Sequence, residues 1–218
     1  MKELRVSAML ALLLAVAGSP ARAAGAPAAP EDGGPRNFVV VGAAATVDLR
    51  FEPAAEAGLA GSVARGSILD NLGCRSVDER VWCDVQAPGS GPRGFVPLEA
   101  LEPAVSPDGS VAAGPDDSAE RAGRGEFDAW GNVPCAQAPG QPMGQCEFAA
   151  SRAGGGYATV VVEWPDGSSR AIYFRMGRPT GSDASGEAGF DARQEGDLHL
   201  VRIGDERYEI PDAVVHGG

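Results

Sequence analysis

The chain has 218 residues, with 18 Lys plus Arg against 30 Asp plus Glu and a formal charge of -12. So acidic a surface repels phosphate backbones and anionic headgroups, which excludes nucleic acid as a partner and docking on anionic lipid by charge alone. Four cysteines beside only two histidines, with no C-x-x-C spacing, favour disulfides over a metal centre.

The N-terminus reads as an export signal over residues 1–23. Lys2 and Arg5 give a basic start, Val6 to Ala17 is apolar, and Ala21-Arg22-Ala23 is an A-x-A cleavage site, cut near Ala23-Ala24. A membrane anchor is the alternative, but the apolar run falls short of the about 20 residues a span needs. The expectation is a periplasmic or secreted protein without membrane insertion. Residues 24–36 are Ala, Pro and Gly with two acids, and are expected to be a disordered leader.

Residues 37–103 form the first expected folded unit. Phe38 to Val41, Thr46 to Arg50, Gly61 to Val63, Ser67 to Leu72, Val81 to Val85 and Gly94 to Val96 are short strand-like runs punctuated by Gly and Pro. Phe51 to Ala60 has no sustained period and suits an excursion loop. Such spacing means a small all-β barrel or sandwich. Residues 104–126 are Pro-, Ala-, Gly- and acid-rich with no periodic apolar face, and read as a flexible linker that lets the two halves move independently.

Residues 127–218 form the second unit. Tyr157 to Trp164 places Ala158, Val160, Val162 and Trp164 on one face; Pro165-Asp166-Gly167 is a turn, and Arg170 to Arg175 returns with Ile172 and Phe174. Val161 on the other face predicts cover on both sides. Leu198 to Ile203, Gly204-Asp205 and Glu206 to Ile210 form a second hairpin ended by Pro211. Thr180 to Gly189 reads as a polar loop. A four- or five-stranded antiparallel module is expected, with a short terminal turn at Asp212 to Val215.

The four cysteines are expected to pair locally. Cys74 and Cys83 flank a turn between two strand-like runs, and Cys135 and Cys146 bracket a loop of Pro, Gly and Gln. Each closure is worth roughly 3 kcal/mol by chain entropy.

The order Asp48-Leu49-Arg50-Phe51-Glu52-Pro53, Gly66-Ser67-Ile68-Leu69, Gly73-Cys74, Trp82-Cys83-Asp84-Val85, Gly94-Phe95-Val96 and Leu101 resembles a bacterial SH3-like (SH3b) domain. The resemblance implies a five-stranded barrel used to bind rather than to react. Gly140 to Cys146, Gly154 to Tyr157 and Gly204 to Pro211 look like a module attached to such domains in exported bacterial proteins, which adds an architecture and no chemistry. The combined expectation is an all-β chain: a small SH3-like barrel, a flexible linker and a second, disulfide-stapled antiparallel module.

In such barrels an aromatic at the position of Trp82 lines a ligand groove beside the long loop; packing at the core edge over Leu49 and Val85 is the alternative. Phe51, Glu52 and Phe95 complete the candidate contacts of the first unit. Residues 46–101 contain no Tyr, which argues against the aromatic groove that reads Pro-rich peptides. In the second unit Met143 and Gln145 are candidates, on a disulfide-closed loop ordered in advance; a loop that plugs the sheet with Met143 is the alternative. No G-x-S-x-G window occurs, all four cysteines have partners, and the glycines at 154–156 lack a phosphate loop's Lys. His199, flanked by Leu198 and Leu200, reads as a half-exposed strand residue. The sequence therefore points to a monomeric, non-catalytic binding protein without cofactor or metal, whose partner is peptidoglycan or an envelope protein. An inhibitor of a lytic enzyme or protease acting through the Cys135–Cys146 loop is the alternative.

Overall fold

The computed structural model describes residues 25–184 and 189–217, so the export signal lies outside the described residues. No described helix is long and apolar enough to cross a membrane. Among the described residues fifteen strands form two antiparallel sheets.

The first sheet contains β1 (Asn37–Val40), β2 (Thr46–Arg50), β3 (Leu59–Ala64), β4 (Ile68–Val77), β5 (Arg80–Gln86), β6 (Arg93–Pro97) and β7 (Leu101–Pro103), in the order β3-β2-β6-β5-β4-β1-β7. It has seven strands where the resemblance implies five. β4 is long, and the three-residue β7 adds an edge beside β1. Period-2 alternation turns Phe38, Val40, Leu49, Leu69, Val85 and Val96 inward, each at most 1 % exposed. Cys74 and Cys83 are direct cross-strand partners on β4 and β5, and their disulfide forms.

The second sheet contains β8 (Ala129–Ala136), β9 (Gly144–Gly154), β10 (Tyr157–Glu163), β11 (Ser169–Arg175), β12 (Arg178–Ser182), β13 (Phe190–Glu195), β14 (Leu198–Ile203) and β15 (Glu206–Pro211). Its order is β12-β11-β10-β9-β8-β15-β14-β13. Eight strands replace the four or five expected. Contacts between strands distant in that order show that the sheet curls on itself. Phe174 on β11 meets the His199 ring on β14 edge-on at 5.3 Å, and Arg170 on β11 is bidentate to Glu206 on β15 at 2.9 Å for both bonds. The result is barrel-like, with a seam where the edge strands β12 and β13 face each other. The Cys135–Cys146 disulfide lies inside, at 3 % and 1 % exposure.

The expected cover on both sides of the β10 hairpin comes from α1 (Ser118–Gly123), whose Ser118 hydroxyl meets that of Thr159 at 3.1 Å. The C-terminal α2 (Asp212–His216) buries Val214 and Val215 against the barrel. The linker is therefore not the flexible spacer its composition suggests. Ala104, Ser106, Ala112 and Ser118 are buried, and the Ser106 hydroxyl donates to Gly155 O at 2.7 Å. Small residues achieve this because Gly155 has φ of +59° and no side chain; a Cβ there would lie 2.6 Å from the Ala112 methyl.

Nor is the described part of the leader, residues 25–36, loose. The Asn71 amide donates to Ala28 O and Pro35 O, and Pro35 bridges Ala113. Arg36, 6 % exposed, donates to Gly114 O, Pro115 O, Ala153 O and Gly154 O and stacks on the Tyr157 ring at 4.6 Å. A second bridge joins the sheets directly: Tyr157 hydroxyl to Asn37, Asn37 to Asp70 at 3.0 Å, and Asp70 to the Arg175 guanidinium at 3.1 Å. Composition predicts disorder from the poverty of apolar side chains. Here one guanidinium and backbone carbonyls hold the segment, a source of order that hydropathy does not register.

Candidate functional site

The four candidates on the first sheet do not converge on a groove. Phe51 follows the end of β2 and is 69 % exposed, and Glu52 beside it is also exposed. Trp82 is only 4 % exposed. Strand alternation puts it on the face opposite Cys83 and Val85, so it is neither an open aromatic nor a residue packed over the Leu49–Val85 core. The Arg80 guanidinium lies over its ring at 5.1 Å and is held there by Glu99 at 2.8 Å. Phe95 is half-buried, with the Arg75 guanidinium 4.7 Å over its ring. Two cation–π lids thus occupy the aromatic faces a ligand would use. The Arg80 pair holds the Glu99 carboxyl below its ordinary range.

Met143 and Gln145 also separate. Gln145, paired across the strands with Pro134, is exposed and lines a shallow concavity with Asn132, Glu163 and Trp164. Met143 is half-buried on the other side. It does not plug the core. Instead it borders a groove of about 310 Å³ on the outer face of β13, β14 and β15, floored by Leu200 and edged by Arg193, Arg202 and Arg207 together with Asp191 and Glu209.

The loop beside the groove is pre-ordered. Gln141 Oε1 accepts the backbone N–H of Gln137 and of Ala138, both at 3.1 Å. Arg207 donates to Gln141 O, tying the loop to the sheet. Ring closure by Cys135–Cys146 then fixes both ends of the segment. Such a loop loses little further entropy on binding.

Register determines the groove's charge. The two-residue turn Gly204-Asp205 pairs Ile203 with Glu206 and hence Arg202 with Arg207, two cations directly opposite on one face. Like charges so placed repel. Among the described residues neither guanidinium has a carboxylate within ion-pair distance: Arg202 donates to Gly204 O at 2.8 Å and Arg207 to Gln141 O. Arg193, by contrast, is paired with Glu195 at 3.2 Å. Beneath the groove the Tyr208 hydroxyl donates to Glu206 at 2.8 Å. Burial drives the Tyr208 phenol well above its ordinary value, and the Arg170 fork holds the Glu206 carboxyl below its own. On the barrel side of the same strand a neutral phenol thus lies over an ionised pair, and the groove's rim carries Arg193, Arg202 and Arg207 beside Glu209 and Asp191, the cross-strand partner of Arg202.

Sequence reading named Met143 but missed Leu200, Arg202 and Arg207. The signal was available, because a two-residue turn between two alternating runs sets which residues face each other. Among the described residues no group of three or more His, Cys, Asp or Glu side chains is arranged to hold a metal ion. No family model matches the chain, and neither the curated proteins nor the solved structures contain a match.

Proposed function

We propose that this chain is an exported, non-catalytic binding protein of the cell envelope, and that it takes an anionic group of the cell wall or of an envelope protein in the Met143–Arg202–Arg207 groove. The observation that carries the reading is the opposed Arg202–Arg207 pair, two guanidiniums that hydrogen-bond backbone carbonyls and have no ion-pair partner among the described residues, in a chain of net charge -12. A carboxylate laid between them would relieve their repulsion and form charge-assisted hydrogen bonds. Two disulfides fit an oxidising compartment, and the N-terminal segment supplies the route to periplasm or medium. The SH3-like resemblance of residues 46–101 supports a docking role for the first sheet. Its capped aromatics move the proposed contact surface to the second.

Retention of the mature chain on purified peptidoglycan tests this, with wild type compared against Arg202→Gln and Trp82→Ala at low and moderate salt. Wild type is expected to be retained, Arg202→Gln to be lost, and folded Trp82→Ala to be retained. No retention of wild type removes the cell-wall version, and equal retention of Arg202→Gln removes the groove. The Gln141 hydrogen bonds favour one further reading, an inhibitor that presents the closed loop to a lytic enzyme or protease. Flat activity curves at micromolar protein would dismiss it.

A further inference from the structure

Pairing across β13, β14 and β15 lays the groove's charges out in two rows. One runs Asp191, Arg202, Arg207 and the other Arg193, Leu200, Glu209, each residue directly opposite the next. Alternation puts all six on the outer face, where they line the groove beside Met143. The charges do not cancel within the sheet. Arg202 is turned to Gly204 O at 2.8 Å, Arg207 reaches Gln141 O, and Arg193 takes Glu195 at 3.2 Å. Asp191 and Glu209 are left, among the described residues, without a cationic partner.

Two such rows select a ligand by its charge. A carboxylate seated between Arg202 and Arg207 meets Glu209 two residues along β15 on the same face, and Asp191 beyond Arg202. Each of these subtracts from its attraction to the guanidiniums, because like charges at neighbouring strand positions repel. A cation seated on Glu209 is opposed in the same way by Arg207 and Arg193. A ligand that carries both charges turns Glu209 from a repulsion into a contact. Strand positions i and i+2 lie about 7 Å apart, a span that flexible Arg and Glu side chains close onto charges a few bonds from each other. Leu200, half-buried and directly opposite Glu209, supplies the apolar surface between the charges.

From this layout we infer that the groove's ligand is a zwitterion, an amino-acid unit with a free carboxylate, a free ammonium and an apolar side chain. Its carboxylate bridges Arg202 and Arg207, its ammonium donates to Glu209, and its side chain lies on Leu200. The inference rests on the groove reading above and narrows it, since an anionic group can be presented either as a plain acid or beside a free amine. Glu209 is half-buried and shares β15 with Arg207, which makes it the ammonium's partner. Asp191, exposed on the edge strand β13, stands on the far side of Arg202 from Arg207.

Three compounds on one carbon skeleton test it: racemic leucine, isocaproate, which lacks the amine, and isoamylamine, which lacks the carboxylate. Each is titrated at neutral pH into the ¹⁵N-labelled full mature chain while the backbone amides of β14 and β15 are followed. Leucine is expected to shift these amides saturably and to bind roughly fivefold more tightly than isocaproate, the upper worth of one exposed ion pair. Isoamylamine is expected to be weaker than both. Glu209→Gln, a near-isosteric change, is expected to bring leucine level with isocaproate, whereas Arg202→Gln weakens both acids. Isocaproate bound at least as tightly as leucine overturns the zwitterion and leaves the anion groove standing. Isoamylamine bound tightest of the three overturns both. No saturable shift with leucine overturns the inference, and Arg202-dependent retention on peptidoglycan then decides the groove reading separately. A leucine preference that survives Glu209→Gln overturns the assigned carboxylate.

Discussion

The two sheets handle arginine in opposite ways. On the first, Arg75 and Arg80 lie flat on Phe95 and Trp82, so cations and aromatics satisfy each other. On the second, Arg202 and Arg207 are set opposite one another, and among the described residues neither they nor Arg178 has an ion-pair partner. The same residue type closes one surface and leaves the other open. An aromatic in a ligand-binding position is thus informative only once its neighbours are known, because a guanidinium two positions away on the same strand can occupy its face.

The comparison breaks most readily at the clasp between the sheets. Arg36→Ala would strand the carbonyls of Gly114, Pro115, Ala153 and Gly154 and should cost about 3 kcal/mol in urea unfolding. A loss below about 1 kcal/mol would restore the picture of two independent modules. Truncating Trp82 to Ala should cost a comparable roughly 3 kcal/mol, with retention on the cell wall unchanged in the folded fraction. A selective loss of binding instead would return the ligand face to the first sheet.

Reduction separates the sheets by burial. Cys74 is half-buried whereas Cys135 and Cys146 lie in the barrel interior. Mild reductant followed by mass mapping should open Cys74–Cys83 first, and opening Cys135–Cys146 should cost about 3 kcal/mol. Alkali probes the junction between them. Tyr157 has its phenol pushed up to about 12 against 10.0, chiefly by burial. The folded chain therefore holds this proton longer than the unfolded one. Its contribution to stability is complete below about pH 10 and declines as the pH rises through about 12. Tyrosinate absorbance followed beside circular dichroism should show a late ionisation coincident with unfolding. The smallest effects belong to Phe51→Ala and Gln145→Ala, each expected to lie within about 0.5 kcal/mol of wild type.

The hairpin turns were legible because Pro165-Asp166-Gly167 and Gly204-Asp205 carry turn chemistry, and the paired cysteines because their spacing allowed local closure. β12 and β13 were not, since edge strands are kept polar and β12 includes a proline and a glycine. The face of His199 was misassigned for a different reason. Alternation fixes which residues share a face, not which face is inside, and Val201 with Ile203 outweighed Leu198 with Leu200. The groove escaped because it is a property of register between strands.

The Arg36 clasp also decides how the molecule carries load. A pull on the leader is borne at once by a side chain anchored both in the linker and in the β9–β10 turn. At the far end Arg152 grips Ala213 O and Val214 O of the terminal helix. Tension between the ends therefore meets two fastenings on the same β9 strand before it reaches either barrel wall. A protein fixed at one end to a wall and at the other to a partner would transmit strain through that strand and keep its binding surfaces unstretched.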